Sequence, residues 1–148
     1  MNNELSQADI DKLLGDVIVD RIEEMEAHML QCEQIEIPVQ SNNINGMYTR
    51  EITIPKGSLI TGAVHLFDYV DIMLSGDITV STADGPKRFT GPNVLSGKAG
   101  RKRAGYAHED TKWVTVHKTD IADGDEFVKL LTVPTMKEYL MLEDKSCQ

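Results

Sequence analysis

A basic segment near the middle of the chain holds the side chains best suited to bind an anion. It extends from Pro86 to Arg103 without an acidic residue, although the whole chain has a formal net charge of −9. Its cations are Lys87, Arg88, Lys98, Arg101, Lys102 and Arg103. Gly97, Gly100 and Gly105 expose backbone amides between these charges, as anion-binding loops often do. The segment predicts either a site for a phosphate-bearing small molecule, a nucleotide or an acidic partner, or a solvated hairpin edge protected by lysines.

Residues for nucleophilic catalysis are not arranged in a recognisable pattern. Ser75, Ser81 and Ser96 lack a nearby histidine–carboxylate pattern, and no nucleophile-elbow, Walker or dinucleotide-binding motif occurs. Trp113 and Tyr106 could form an aromatic wall in a pocket, although core packing is the more frequent use of such residues. The sequence therefore favours a binding site over a hydrolytic one.

The elements that must position these residues are short β-strands. Runs rich in Val, Ile, Thr and Leu, interrupted by Gly, Pro, Asp and Asn, predict a barrel or sandwich. We predict strands at 34–39, 47–54, 59–66, 69–74, 77–82, 87–89, 93–96, 103–107 and 112–117. The turns between them are predicted at 41–43, 45–46, 55–57, 75–76, 83–86, 91–92 and 108–110.

Helices are predicted at both ends of the chain. An amphipathic helix begins after the N-cap Ser6 and reaches about Gln31. Its apolar stripe packs either on its own barrel or on a second subunit. The acidic residues of 120–126 lack the ligand spacing of a calcium loop and indicate a capped helix start, followed by helices at 127–131 and 135–143.

Length and composition fit one domain of 148 residues. We divide it into an N-terminal amphipathic helix (1–33), a β-barrel (34–119) and a helical C-terminal extension (120–148). The negative charge disfavours binding to nucleic acid or membranes, and neither a signal peptide nor a membrane-spanning run is evident. Cys32 and Cys147 are far apart in sequence, which fits a reducing cytoplasm better than a disulfide framework.

Two motifs give the chain a family resemblance. Residues 48–58 read Y-T-R-E-I-T-I-P-K-G-S, and residues 100–117 match G-x4-G-Y-x2-E-D-T-x-W-x3-H. In these motifs the region from Met47 to Thr119 resembles the small cupins encoded by bacteriophages and prophages. The resemblance implies a mainly β cupin fold, a double-stranded β-helix or jelly-roll barrel, with a long N-terminal helix and a short helical C-terminal extension. It leaves the activity open, because cupins include enzymes, storage proteins and sensors.

Alignment to the two cupin motifs indicates what remains of a metal site. With Gly76 as the closing glycine, His65 takes the position of the second histidine. Ala63 takes the first histidine position and Tyr69 the glutamate position, while the histidine of the second motif becomes Arg103. One of the four expected ligands thus remains. A first-row metal needs about three convergent N or O ligands, so the alignment predicts that the metal site is lost.

The remaining inward residues then need other roles. His65 is interpreted mainly as a hydrogen-bonded barrel residue and only secondarily as a metal or organic-ligand contact, although His108 or His117 could rebuild a metal site with it. In the alignment Arg103 points into the barrel, where an unpaired charge would be costly. It therefore requires Asp71 as an internal partner or an anionic ligand.

Three functions are consistent with these observations. The first is a non-catalytic, homo-oligomeric accessory or structural phage protein, dimeric or larger, in the host cytoplasm or the virion, with other phage proteins as partners. The second is a protein that captures an anionic small molecule such as a nucleotide signal, and the third is a metal-dependent oxygenase or isomerase. We favour the first of these functions, a non-enzyme without a cofactor, and keep the other two as alternatives. Its ligand-binding residues are predicted to be Arg103, His65, Tyr106, Lys102, Tyr69 and Trp113.

Overall fold

The computed structural model describes residues 4–8, 10, 19–118 and 131–146. Two helices, α1 (Val19–Met29) and α2 (Met136–Ser146), flank a mainly β body. The strands are β1 (Val39–Ile44), β2 (Met47–Ile54), β3 (Leu59–Thr61), β4 (Val64–His65), β5 (Tyr69–Thr82), β6 (Gly85–Thr90), β7 (Asn93–Gly97), β8 (Ala104–Lys118) and β9 (Thr132–Val133). The expected mainly β fold class is confirmed.

Two long bent strands shape the barrel. Strands β5 and β8 pair antiparallel along most of their length, in a sheet of order β1-β2-β8-β5-β6. The first part of β5 also pairs with β7, whereas its second part pairs with β6. Register shifts between Met73 and Ile78 bend both long strands at the same level. The sheet therefore folds over into two facing layers, and side chains that point inward meet between them.

The strand bend explains two errors in the predicted turns. Ser75 and Gly76, predicted as a turn, form the bulge in the middle of β5, where Gly76 has a φ of 111°. A side chain at Gly76 would collide with the backbone of β8 at Asp110 and Thr111. Residues 108–110, also predicted as a turn, continue through β8 without reversing the chain. Here the glycine and the charged residues lie at a bend and not at a turn, because both strands continue into the other layer.

The structure confirms some of the other strand predictions and contradicts others. The prediction of 47–54 is confirmed as β2, and the hairpin across 83–86 is confirmed between β5 and β6. The prediction of a strand at 34–39 is wrong, since β1 runs through the asparagines predicted as a turn. Its turn is confined to Asn45 and Gly46, whose positive φ values of 52° and 73° suit a tight hairpin. The predicted strand 59–66 is divided into β3 and β4.

The main core lies between the two layers. Trp113 and Met73 from one layer pack with Ile78 and Val80 from the other. A second cluster joins the N-terminal helical segment to the barrel, where Ile22 contacts the group of Ile10, Ala104 and Tyr106. The described part of the N-terminal apolar stripe therefore packs on its own barrel.

Parts of the predicted helices fall outside the described residues. These parts include positions 11–18 of the N-terminal helix, the acidic group at 120–126 and most of the helix at 127–131. The C-terminal helix begins one residue later than predicted and extends to Ser146. In the described part of the chain, no helix is both long enough and apolar enough to cross a lipid bilayer.

Candidate ligand site in the barrel

A cavity of about 430 Å³ opens between the two layers of the barrel. Alternate residues of β2, β5 and β8 point into it, because successive side chains of a strand face opposite sides of the sheet. The apolar part of its wall includes Ile52, Ile54, Ile60, Val80 and Trp113. The polar part consists mainly of Arg50, His65, Tyr69, Asp71, Arg103, Thr115 and His117. The barrel interior is thus an open pocket with polar groups on one side.

Three stacked rings form the most ordered part of the polar wall. The rings of His65 and Tyr69 lie 3.8 Å apart, centroid to centroid, with an interplanar angle of 22°. The ring of His117 lies 5.1 Å from that of His65 and 5.3 Å from that of Tyr69. The stack fixes each ring plane, so that a ligand meets a preformed surface.

The two histidines share one hydrogen bond. His65 Nδ1 and His117 Nε2 are 3.1 Å apart, so that one nitrogen must donate a proton and the other accept it. Burial lowers the pKa of His65 to about 3, helped by the nearby charges of His117, Arg103 and Arg50. Burial also lowers the pKa of His117. Both imidazoles are therefore neutral at pH 7.

Arg103 forms the internal ion pair that the sequence analysis proposed for it. Its Nη1 donates to Asp71 Oδ2 at 2.9 Å, and its Nη2 donates to the carbonyl of Ser96 at 2.7 Å. The other oxygen of Asp71 accepts a hydrogen bond from Thr115 at 2.7 Å. Burial raises the pKa of Asp71, whereas the Thr115 hydrogen bond and the Arg103 charge oppose that rise. The guanidinium also lies 6.0 Å from the centre of the Tyr69 ring.

Two buried nitrogens in this group have no hydrogen-bond partner among the residues that the structure describes. They are Arg103 Nε and His117 Nδ1. An unpaired buried polar atom costs roughly 1–3 kcal/mol, and such atoms often mark sites with a function beyond stability. Both belong to residues that line the cavity. The polar wall is therefore less well satisfied than a purely structural network would be.

The basic segment is largely neutralised within the chain. With the exception of the half-buried Arg101, its cations pair with carboxylates of the described residues at 2.8 to 3.9 Å. One of these pairs links the segment to the N-terminal helix of the same chain, because Lys102 binds Glu26 of α1 at 3.0 Å. The charge of the segment is thus mostly neutralised by ion pairs and is not available as an exposed cationic surface.

The predicted ligand-binding residues separate into two groups. His65, Tyr69, Arg103 and Trp113 line the cavity. The other two lie elsewhere: the Tyr106 ring packs in the cluster beneath α1, and the Lys102 ammonium is buried against Glu26 and the carbonyl of Pro134. Tyr106 follows the pocket residue Gly105 on β8, where neighbouring residues point to opposite faces, whereas Lys102 lies before the strand begins.

The residues of the cavity do not fit a cupin metal site. Ala63, His65, Tyr69 and Arg103, the four aligned positions, all line the same cavity. The His65 imidazole, however, is stacked and bonded to His117, and Arg103 is a permanent cation that cannot act as a ligand. His108, the other proposed contributor, bonds to Thr79 at 2.7 Å. No group of three His, Cys, Asp or Glu suited to a metal is present among the described residues.

Sequence reasoning did not identify two residues of the pocket. Arg50 and Thr115 were assigned no role, yet both line the cavity. Each is a polar residue within a row of inward-facing side chains: Arg50 lies between Tyr48 and Ile52, and Thr115 lies between Trp113 and His117. A polar residue in an otherwise inward-facing row was the available signal.

Comparisons with solved structures identify the fold. The chain is similar to KdgF from Halomonas sp., with a TM-score of 0.51, 11% identity, and coverage of 62% of this chain and 87% of that one. It is also similar to a cupin 2 conserved barrel domain protein from Leptotrichia buccalis, with a TM-score of 0.50, 14% identity, and coverage of 64% and 46%. A cupin superfamily protein from Desulfitobacterium hafniense gives a TM-score of 0.49, 12% identity, and coverage of 64% and 87%.

Sequence comparisons add no closer assignment. No family model matches the chain, and no curated protein matches it. The structural likeness, at identities well below 25%, concerns the fold alone. The chain is therefore a protein of the cupin fold, and its function has to be argued from its own residues.

Proposed function

We propose that this chain is a binding protein whose barrel cavity captures a small organic anion. The observation that supports this proposal is the open cavity of about 430 Å³, within the range of roughly 300–1,000 Å³ that is typical of small-molecule sites. A small barrel with a purely structural role would instead be filled by side chains. The arrangement of the polar groups on one wall also favours a ligand that is held in one orientation.

The charges of the cavity favour an anion with a single charge. Its lining contains the guanidiniums of Arg50 and Arg103 and the carboxylate of Asp71, while the two histidines are neutral. The surplus is thus one positive charge. Because Arg103 is already paired with Asp71, the exposed Arg50 supplies the charge that is available to a ligand. A multiply charged nucleotide would need more cations than this wall provides.

The apolar wall defines the rest of the ligand. Along β2 the cavity lining passes from Arg50 to Ile52 and Ile54, so that an apolar or aromatic body can be buried beside the polar groups. His65 contributes a second ring nitrogen that makes no hydrogen bond to the described residues. We infer a compact molecule with an apolar body and one carboxylate-like group, in which the carboxylate approaches Arg50 and His65.

The first experiment is native mass spectrometry of the purified protein, followed by calorimetric titration with benzoate, benzamide and adenosine monophosphate. Benzoate and benzamide have nearly the same shape but differ in charge. We expect benzoate to bind more tightly than benzamide and than the nucleotide. A bare protein that binds none of the three, or that binds benzamide as tightly as benzoate, would contradict the proposal.

A pair of substitutions tests the predicted role of Arg50. Arg50→Gln removes the available charge from the cavity wall, and we expect benzoate affinity to fall about tenfold, as for the loss of one charged hydrogen bond. Lys118→Gln removes the same charge from an exposed position on the adjoining strand β8. It should leave affinity within about twofold. Equal effects of the two substitutions would show that only long-range charge matters.

A second candidate function is an oligomeric accessory protein of a bacteriophage, acting in the virion or the host cytoplasm. It is supported by the two sequence motifs and by the exposed aliphatic side chains of Val70, Leu74 and Val94 on β5 and β7. The motif residues also have structural duties: Gly57 turns the chain with a φ of 80°, and Trp113 belongs to the core. Detection of the protein in purified particles, with no ligand in the cavity, would favour this function over the first.

A further inference from the structure

The hydrogen bond between the two cavity histidines couples the protons of both rings. His65 Nδ1 and His117 Nε2 lie 3.1 Å apart, and burial holds both rings neutral. A neutral imidazole carries one proton, on one of its two nitrogens. Only two arrangements therefore complete the bond. Either His117 donates and His65 is protonated on Nε2, or His65 donates and His117 is protonated on Nδ1.

The second nitrogen of His117 distinguishes the two arrangements. His117 is 3% exposed, and its Nδ1 is buried without a hydrogen-bond partner among the described residues. Buried N–H groups without an acceptor are rarer in folded proteins than buried acceptors with a spare lone pair. A low-polarity environment increases the cost of such an unpaired group. The arrangement that leaves Nδ1 without a proton is therefore favoured, and it requires His117 to donate through Nε2.

We propose that His117 holds His65 in the tautomer with its proton on Nε2, so that the cavity offers its ligand an N–H donor at this position. His65 Nε2 makes no hydrogen bond to the described residues. It is also not among their fully buried unpaired atoms, so a bound molecule can reach it. His117 is thus a positioning residue, which acts on the ligand through His65. The inference about the ligand rests on the proposed function and makes it more specific.

The neighbouring polar groups of the cavity define the class of ligand. Both oxygens of Asp71 are engaged, one by Arg103 at 2.9 Å and the other by Thr115 at 2.7 Å. The guanidiniums of Arg50 and Arg103 donate and cannot accept. The wall therefore offers mainly donors, which match a head group that only accepts hydrogen bonds, such as a carboxylate or a bare ring nitrogen. A head group that only donates would meet the His65 proton without gaining a partner.

The test begins with the ligand-free full chain. Two-bond ¹H–¹⁵N correlation spectra of the ¹⁵N-labelled protein at pH 7 distinguish protonated from bare ring nitrogens. His65→Phe and His117→Phe, which retain a ring in the stack, assign the signals by their absence. We expect both rings to be protonated on Nε2 and bare on Nδ1. His28, which is exposed on α1, provides the reference for a histidine in contact with water.

A second measurement tests the preference for an acceptor without changing the charge of the ligand. Pyridine and pyrrole are uncharged rings of similar size at pH 7, but the pyridine nitrogen only accepts and the pyrrole nitrogen only donates. We expect pyridine to bind at least about tenfold more tightly, as followed by the ¹⁵N signals of the cavity. His65→Phe should abolish this preference. His28→Phe is the matched control and should leave the preference within about twofold of its original value.

Several results would overturn the inference. Protons on Nδ1 of both rings, signals averaged between the two tautomers, or an imidazolium in either ring would refute the assignment. A preference for pyrrole, or a preference for pyridine that His65→Phe leaves unchanged, would refute the role of the His65 donor. Failure of the proposed function is distinguishable, because the first spectra need no ligand. Benzoate binding with reversed protons would contradict this inference alone, whereas the expected protons in a protein that does not bind benzoate would contradict the proposed function.

Discussion

Replacement of Lys102 by methionine should destabilise the protein more than is expected for a lysine in a basic stretch of sequence. The Lys102 side chain is only 1% exposed. Its ammonium donates to Glu26 Oε1 at 3.0 Å and to the carbonyl of Pro134 at 2.7 Å. Glu26 also accepts a hydrogen bond from Thr61 at 2.7 Å. One cation therefore joins α1, the barrel and the C-terminal segment.

The size of the destabilisation depends on the polar groups that lose their partner when Lys102 is replaced. Removal of one partner of a buried ion pair typically costs about 3–5 kcal/mol. Glu26 is 30% exposed, so water can partly solvate it, and the cost should lie at or below the lower end of that range. Loss of the bond to Pro134 adds about 1 kcal/mol. Since methionine retains much of the aliphatic stem, we expect a loss of about 3 kcal/mol in the free energy of unfolding.

The assay is urea unfolding at pH 7, followed by the fluorescence of the single tryptophan, Trp113, which lies in the core. Lys98→Met is the matched control, because its pair with Asp68 is exposed on both sides and should contribute little to stability. The double variant Lys102→Met with Glu26→Gln should recover part of the loss, since no unpaired charge remains. A loss below about 1 kcal/mol for Lys102→Met, equal to that of the control, would refute this reasoning.

Three further predictions concern the pocket and the strand bend. The pKa of His65 is lowered from 6.5 to about 3 in the folded protein, so the unfolded chain binds the proton first as the pH falls. Stability is therefore lost progressively from about pH 6.5 towards pH 3. His65→Gln should reduce this loss, as measured by urea unfolding midpoints at several pH values. Arg103→Met should cost about 3–5 kcal/mol by leaving the buried Asp71 unpaired, and adding Asp71→Asn should restore part of it in the same unfolding assay. Gly76→Ala should lower the free energy of unfolding by at least about 2 kcal/mol, because φ is 111° and the added carbon meets the backbone of β8.

Each of these predictions has a control or a contradicting outcome. His28→Gln changes an exposed histidine on α1 and should leave the acid sensitivity unaltered; an equal change in both histidine variants would argue against a role for burial. Gly57→Ala shares a positive φ, of 80°, but meets no neighbouring atom, so it isolates the collision from the backbone strain. If the double variant of the ion pair were no more stable than the single variant, the unpaired charge would not be the cause of the loss.

Local patterns in the sequence were sufficient where one strand determines its own structure. The alternation of apolar and polar residues predicted the bounds of β2, and the pair Asn45–Gly46 predicted the hairpin turn. Local patterns were insufficient where pairing with a distant strand determines the conformation. Whether Ser75–Gly76 reverses the chain or bends it depends on continued pairing with β8, which lies more than 30 residues away.

The candidate site shows the same division. Family motifs placed His65, Tyr69 and Arg103 in one cavity, and an inward Arg103 led to its partner Asp71. The stacking of His65 with His117 joins positions 52 residues apart, and nothing in either local sequence indicates it. The apparent charge of the basic segment was misleading for a similar reason, since the partner of Lys102 is 76 residues distant in sequence.

The short strand β9 has a consequence for the rate at which the cavity exchanges its contents. Thr132 of β9 pairs with His65, and Leu131 and Thr132 form part of the cavity wall. The pairing comprises two residues on each strand, so few backbone hydrogen bonds hold the wall closed at this point. Segments with such sparse pairing open at low free energy. For the ligand that we propose, the residence time would therefore be set partly by the C-terminal segment, which Lys102 holds through the carbonyl of Pro134.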